Sequence, residues 1–176
     1  HEAADQLKTF LEAGGNLIDT AAMYGDGDSE RVIGGFIGTL AKREDLILAT
    51  KAGISFNSGE RSVNNSRTNL LSDLDRSLSR LGVDYIDLWQ IHTWDSMVPL
   101  EETLSAIDQA VSSGRVRYVG VSNFSGWQLA RSATLQNPLF GKAPIISSQV
   151  EYSLLNRGIE AEVIPAAIEM SVGILA

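Results

Sequence analysis

One phrase recurs along the chain: an amphipathic helical run, a glycine, then a short apolar strand. Residues 2–13 carry Leu7, Phe10 and Leu11 at helical spacing, and Gly14 and Gly15 suit the helix end. Residues 16–20 (NLIDT) then read as a strand. The spacing predicts further helices over 29–41, 67–81, 100–113, 125–135 and 159–170. It predicts strands over 46–51, 84–92, 116–122, 145–152 and 172–176. Leu70, Leu71, Leu74, Leu78 and Leu81 share one face of the helix over 67–81, and Gly82 stops it. Pro99 suits a first helical turn, and Ser125 with Gln128 forms a capping box. The strands are short and mostly apolar, as expected when a sheet is covered on both faces. Strands alternating with helices imply βαβ units and a parallel sheet.

Six strands and six helices in 176 residues give roughly 29 residues per unit, and eight such units would approach the ~250 residues of a (β/α)8 barrel. The chain opens in a helix and stops in a strand. The expected fold is therefore an α/β (β/α)8 TIM barrel, incomplete, with about six of its eight strands. No linker divides it, so residues 1–176 are expected to form one barrel-type domain, truncated at both ends. The alternative, a doubly wound open sheet, would place a glycine-rich phosphate turn after an early strand. Neither G-x-G-x-x-G nor G-x-x-x-x-G-K-[ST] is present. An open parallel sheet exposes two edges. The 176-residue chain by itself is thus expected to be poorly stable and to have little or no activity.

Composition narrows the function classes. With 14 Lys+Arg against 22 Asp+Glu the net charge is −8, which argues against a nucleic-acid partner or an anionic membrane surface. The absence of cysteine removes disulfides, thiolate metal sites and a cysteine nucleophile, and two histidines cannot build a multi-histidine metal site. No metal site is expected. No apolar run approaches the ~20 residues of a membrane span, and no signal peptide is visible, so the expected compartment is the cytoplasm.

In a parallel barrel the site lies at the C-terminal ends of the strands. The first visible strand ends at Asp19, with Tyr24 in the following loop; the second ends at Lys51; the third ends at His92. The fourth ends at Ser122 and Asn123, and the fifth carries Gln149 and Glu151. Four groups able to move or control a proton thus fall at one rim. A tyrosine hydroxyl is a poor acid alone, but a nearby ammonium favours its phenolate. A carboxylate can hold that ammonium, and a histidine can orient the phenol proton. The product is a general acid matched to a carbonyl or alkoxide oxygen.

Several segments in order carry a resemblance. They are Asp19-Thr-Ala-Ala-Met-Tyr24-Gly25 with Ser29-Glu30, Ala49-Thr-Lys51, Leu81-Gly-Val-Asp-Tyr-Ile-Asp-Leu88 with His92, Gly120-Val-Ser-Asn-Phe124 and Gln149-Val-Glu-Tyr152. Over essentially its whole length the chain resembles the aldo-keto reductase family, more closely the bacterial general reductases and potassium-channel beta subunits. The resemblance implies a barrel that binds NADPH and reduces aldehydes and ketones by hydride transfer. By motif, Tyr24 would donate the proton, Lys51 would favour its release, Asp19 would pair with Lys51, and His92 would orient the carbonyl. Ser122, Asn123 and Gln149 would hold the nicotinamide carboxamide. The partner implied is a small-molecule carbonyl substrate; the oligomeric state is not legible. A cofactor-sensing regulatory subunit with slow turnover is the second reading the resemblance allows.

Each of these residues alone has an ordinary structural reading; their joint order at successive strand ends favours the catalytic one. Weaker signals surround them. Met23, Phe56 and Trp94 are candidates for a substrate-pocket wall, Trp127 for packing, and the polar stretch 57–65 for a mobile rim loop. Asp26-Gly-Asp28-Ser-Glu30 begins like a calcium loop, but Arg31 stands where that loop needs glycine. Asn64-Asn-Ser66 and Asn123-Phe-Ser125 match the glycosylation acceptor pattern by chance.

Overall fold

A computed structural model describes residues 2–57 and 59–176. In chain order the elements are α1 (Glu2–Glu12), β1 (Leu17–Asp19), α2 (Asp28–Gly34), β2 (Ile47–Ala52), β3 (Ile54–Asn57) and β4 (Glu60–Val63). They continue as α3 (Arg67–Leu81), β5 (Ile86–Ile91), α4 (Leu100–Ser112), β6 (Val116–Ser122), α5 (Gly126–Leu135), β7 (Ile145–Gln149), α6 (Val163–Glu169) and β8 (Gly173–Leu175). Six strands form one parallel sheet in the order β1-β2-β5-β6-β7-β8. Each neighbour in that sheet is the next sheet strand in the chain, as in a barrel, so the doubly wound alternative falls.

The sheet is curled. A Gln149 side chain on β7 reaches Asp19 on β1 at 3.1 Å, although three strands lie between them in the sheet order. Only a half-closed barrel brings those positions face to face. The outer face of the sheet packs on the helices through Leu70, Leu74, Trp89, Ile91, Leu104, Ile107 and Leu129, all buried. β1 and β8 are the two sheet edges and are largely open to solvent. No helix among the described residues is long and apolar enough to cross a membrane.

In the leucine stripe of α3, Leu70, Leu74 and Leu81 are buried and Leu71 and Leu78 partly so, and Gly82 caps the helix in the left-handed conformation at φ +66°. A register shift between Val119 and Gly120 inserts Ile146 as an extra residue in β7. Such a bulge re-aims the side chains that follow it, here Ser147 and Gln149.

Three expectations are corrected. The helix expected over 29–41 ends at Gly34, because Gly34, Gly35 and Gly38 are poor helix formers and Gly38 turns left-handed at φ +82°. Gly34 also has a packing duty: a Cβ there would lie 2.6 Å from the Arg80 carbonyl oxygen of α3. Gly34→Ala should therefore destabilise the fold by about 1–3 kcal/mol through overpacking. Urea denaturation checks this, and an unchanged midpoint would contradict it. Second, the stretch 57–65 is not a simple loop. Ile54 to Asn57 pairs antiparallel with Glu60 to Val63, and Gly59 turns the chain at φ +85°; Ser58 lies outside the described residues. Third, the helix expected over 159–170 is split into a 3-10 turn at Gly158–Ala161 and α6.

Candidate active site

Lys51 sits on the interior face of β2 and is 2% exposed. A buried ammonium needs partners for its three donors. Its Nζ donates to Asp19 Oδ2 at 2.6 Å, to the Thr20 carbonyl at 2.9 Å and to Tyr24 Oη at 3.5 Å. All three acceptors come from β1 and the loop after it. That loop closes onto Lys51 because Ala22 N–H donates to the Lys51 carbonyl at 3.0 Å and Tyr24 N–H to the Ala21 carbonyl at 3.0 Å. Gly25 and Asp26 then turn left-handed at φ +57° and +52°, and Tyr24, 40% exposed, projects towards the cavity.

The Tyr24 ring meets His92 edge-on, with centroids 5.9 Å apart and planes at 83°. His92 follows β5 and is buried, with no partner for Nδ1 among the described residues. Burial pushes its pKa down from 6.5 to about 4; the charges of Lys51 and then Arg61 push the same way, and Asp19 opposes them. His92 is therefore neutral at physiological pH. The consequence for stability has a definite sign. An unfolded chain takes up a proton at this histidine as pH falls below 6.5, whereas the folded chain does not until about 4. Stability is lost across that window, by at most about 3 kcal/mol from this group. Urea denaturation at pH 7 and pH 4.5 should show a shallower loss for His92→Gln than for the parent; equal losses would contradict the assignment.

At the next strand end, Asn123 adopts φ +56°, a conformation asparagine tolerates better than most residues. Its Nδ2 donates to the His92 carbonyl at 3.0 Å and to Ser122 Oγ at 3.0 Å, and its backbone N–H donates to the Gln149 carbonyl at 2.9 Å. Asn123 thus ties the ends of β5, β6 and β7 together. Behind it, Gln128 Oε1 accepts from the Ser125 N–H at 2.8 Å, the predicted capping contact of α5. A cavity of about 230 Å³ opens between Tyr24, Lys51, His92, Ser122, Asn123 and Gln149, with Val150, Glu151 and Ala176 on its far side. Six of the seven sequence-predicted site residues line it. The seventh, Asp19, stands behind Lys51, bonded to both Lys51 and Gln149.

The proposed pocket wall is placed elsewhere. Trp94 packs edge-on against Phe124 and Trp127, each at 5.3 Å, with Trp127 54% exposed. Met23 and Phe56 border a separate cavity of about 310 Å³ with Arg76 and Arg80. None of the three lines the cavity at Tyr24. Among the described residues no cluster of histidine and carboxylate side chains is arranged to hold a metal ion.

Sequence reasoning assigned no role to two supporting residues. Glu30, fully buried, accepts from Thr50 Oγ1 at 2.7 Å and pairs with Arg80 at 3.2 Å, pinning α2 and α3 against β2 next to Lys51. Gln90, also fully buried, donates from Nε2 to Gln149 Oε1 at 2.7 Å. Its signal was present: an amide inside the mostly apolar strand Ile86–Ile91, two residues before His92 and hence on the same face.

Comparison with known proteins gives the geometry a context. The family model described as "Aldo/keto reductase family" matches residues 1–176. The aldo-keto reductase YhdN of Bacillus subtilis is 36% identical over 163 residues, covering 93% of this chain and 47% of that protein. The aryl-alcohol dehydrogenase [NADP(+)] of Phanerodontia chrysosporium is 30% identical over 177 residues, covering 96% and 46%. The crystal structure of the thermostable aldo-keto reductase Tm1743 superposes with a TM-score of 0.85 at 35% identity, covering 99% of this chain and 59% of that one. The glycerol dehydrogenase AKR11B4 of Gluconobacter oxydans gives 0.87 at 30% identity, covering 98% and 52%. The chain spans about half the length of the curated relatives it matches. A curled run of six parallel strands, the rim built on their ends and a match along every residue of the chain have one common explanation: the chain belongs to the aldo/keto reductase family.

Proposed function

We propose that the full-length protein carrying this chain is an NADPH-dependent reductase of aldehydes and ketones, with Tyr24 as general acid. The observation that supports this most is the ammonium of Lys51, held by Asp19 and the Thr20 carbonyl and directed at Tyr24 Oη beside His92. The rim fits a nicotinamide. A carboxamide asks for both donors and acceptors, and Ser122, Asn123 and Gln149 bring hydroxyl and amide groups to the same cavity as Tyr24. Two relatives bear NADP(+) in their names. When bound, the cofactor supplies the hydride that reduces the carbonyl carbon.

The residues of the chain do the rest. Because Lys51 donates to Tyr24 Oη, the phenol proton points away from Lys51. It is available to a carbonyl oxygen in the cavity. As that oxygen takes the proton, negative charge develops on Tyr24 Oη, 3.5 Å from a fixed ammonium that needs no reorganisation. Asp19 keeps the ammonium in place. His92, neutral and facing Tyr24, orients the carbonyl without adding a second charge.

The test is reduction of 4-nitrobenzaldehyde by the full-length protein with NADPH carrying deuterium at both positions of the nicotinamide C4. One deuterium in the alcohol product is expected. Alcohol formation without deuterium, or none with NADPH, would contradict the proposal.

A further inference from the structure

We propose that Gln90 is a positioning residue that sets which end of the Gln149 carboxamide faces Asp19 and which end is left for the cofactor. This rests on the reading of the rim as a reductase site.

Lys51, Gln90, Gly120 and Ser147 are register partners on β2, β5, β6 and β7, so they form one row across the interior of the sheet. Ser147 Oγ donates to Gln90 Oε1 at 3.4 Å, Gln90 Nε2 donates to Gln149 Oε1 at 2.7 Å, and Gln149 Nε2 donates to Asp19 Oδ2 at 3.1 Å. That same carboxylate oxygen takes the Lys51 ammonium at 2.6 Å. Three bonds therefore run in one direction to Asp19, where the bond from Lys51 meets them.

The gap in the row is Gly120. A Cβ there would lie 2.2 Å from Ser147 Oγ and 3.2 Å from Gln90 Cγ. β6 gives up its side chain where the relay passes over it. Gln90 itself is fully buried among Leu88, Trp89 and Ile91 of its strand, where an amide has a desolvation cost unless it is bonded.

The direction of the relay follows from its end. An ionised carboxylate only accepts, so Gln149 must turn its nitrogen to Asp19 and its oxygen to Gln90. Gln90 must then act as donor. Its own oxygen, Oε1, faces the Ser147 hydroxyl, which can rotate to donate. Each group in the row has one consistent orientation, and Gln90 is the donor that enforces it on Gln149. The remaining Gln149 proton and lone pair are then presented to a carboxamide in a fixed order.

The experiment uses the full-length protein and two variants of similar shape. Gln90→Met removes the donor. Gln90→Glu keeps a donor when protonated and becomes an acceptor when ionised, which forces the Gln149 amide to reverse and turn its oxygen on Asp19. With NADPH and 4-nitrobenzaldehyde, Gln90→Met should lose about tenfold in kcat/KM at every pH from about 5.5 to 8.5, as expected for one buried hydrogen bond. Gln90→Glu should match that loss at high pH and recover towards the parent as pH falls, or stay near the parent throughout if burial keeps it protonated. In the ¹H–¹⁵N spectrum the Gln149 side-chain amide, assigned by its loss in Gln149→Leu, should shift in Gln90→Met. Parental kcat/KM in Gln90→Met, an equal deficit of both variants at every pH, or an unmoved Gln149 amide would overturn the inference. A parent that reduces nothing would instead overturn the reductase reading, and the amide shift would still test the relay.

Discussion

Replacing Tyr24 by phenylalanine is expected to lower kcat of the full-length protein by about 10²–10⁴-fold, the usual worth of a positioned general acid. The substitution removes one oxygen. That oxygen accepts from Lys51 at 3.5 Å and, on this account, carries the proton to the carbonyl. The ring itself, with its edge-on contact to His92, is kept. Tyr24 is 40% exposed and packs into no core, so the melting temperature should stay within a degree or two of the parent. Cofactor affinity should also stay unchanged. A variant with parental kcat would show that another group delivers the proton.

Lys51→Met is expected to be nearly as damaging to kcat and to be costly to folding as well. Methionine matches the length of the side chain but supplies no charge. The Thr20 carbonyl and Tyr24 Oη lose their donor, and Asp19 is left with Gln149 as its side-chain partner. Breaking a buried pair by removing one member costs about 3–5 kcal/mol; here the cost should fall at the lower end, because Asp19 is 26% exposed at its side chain. The loss in kcat should be about 10²–10³-fold, the scale of one preorganised donor at a developing oxyanion. Urea denaturation and steady-state kinetics separate the two effects. Full stability with full activity would mean that the ammonium is a bystander.

How much of this was legible in the sequence depends on whether the cause was local. α3 and β6 fall on the predicted residues because each is bounded by a local signal: the leucine stripe ending at Gly82, and the apolar run between Gly114 and Asn123. The helix expected over 29–41 failed because three glycines break its pattern, one of which, Gly34, allows close approach to α3, a tertiary reason. The β3–β4 hairpin was hidden because its strands are short and its outer residues polar. For the site, the strand-end positions of Asp19, Lys51, His92, Ser122 and Asn123 could be read directly, since barrel strands deliver their last residues to one rim. The contacts could not. Gln149 reaches Asp19 across 130 residues only because the sheet curls, and Glu30 meets Thr50 and Arg80 only because α2, β2 and α3 pack together. Gln90 sat in plain view as an amide in a mostly apolar strand. Its meaning needed the row of register partners and the missing side chain at Gly120.

The central claim is that this rim holds a nicotinamide cofactor against Tyr24. The most direct measurement is a titration of the full-length protein with NADPH, followed by tryptophan fluorescence and energy transfer to the nicotinamide. The account predicts saturable binding that survives Tyr24→Phe and weakens about tenfold in Gln149→Leu, which removes the amide facing the cavity. Absence of saturable binding, or binding indifferent to Gln149, would contradict it.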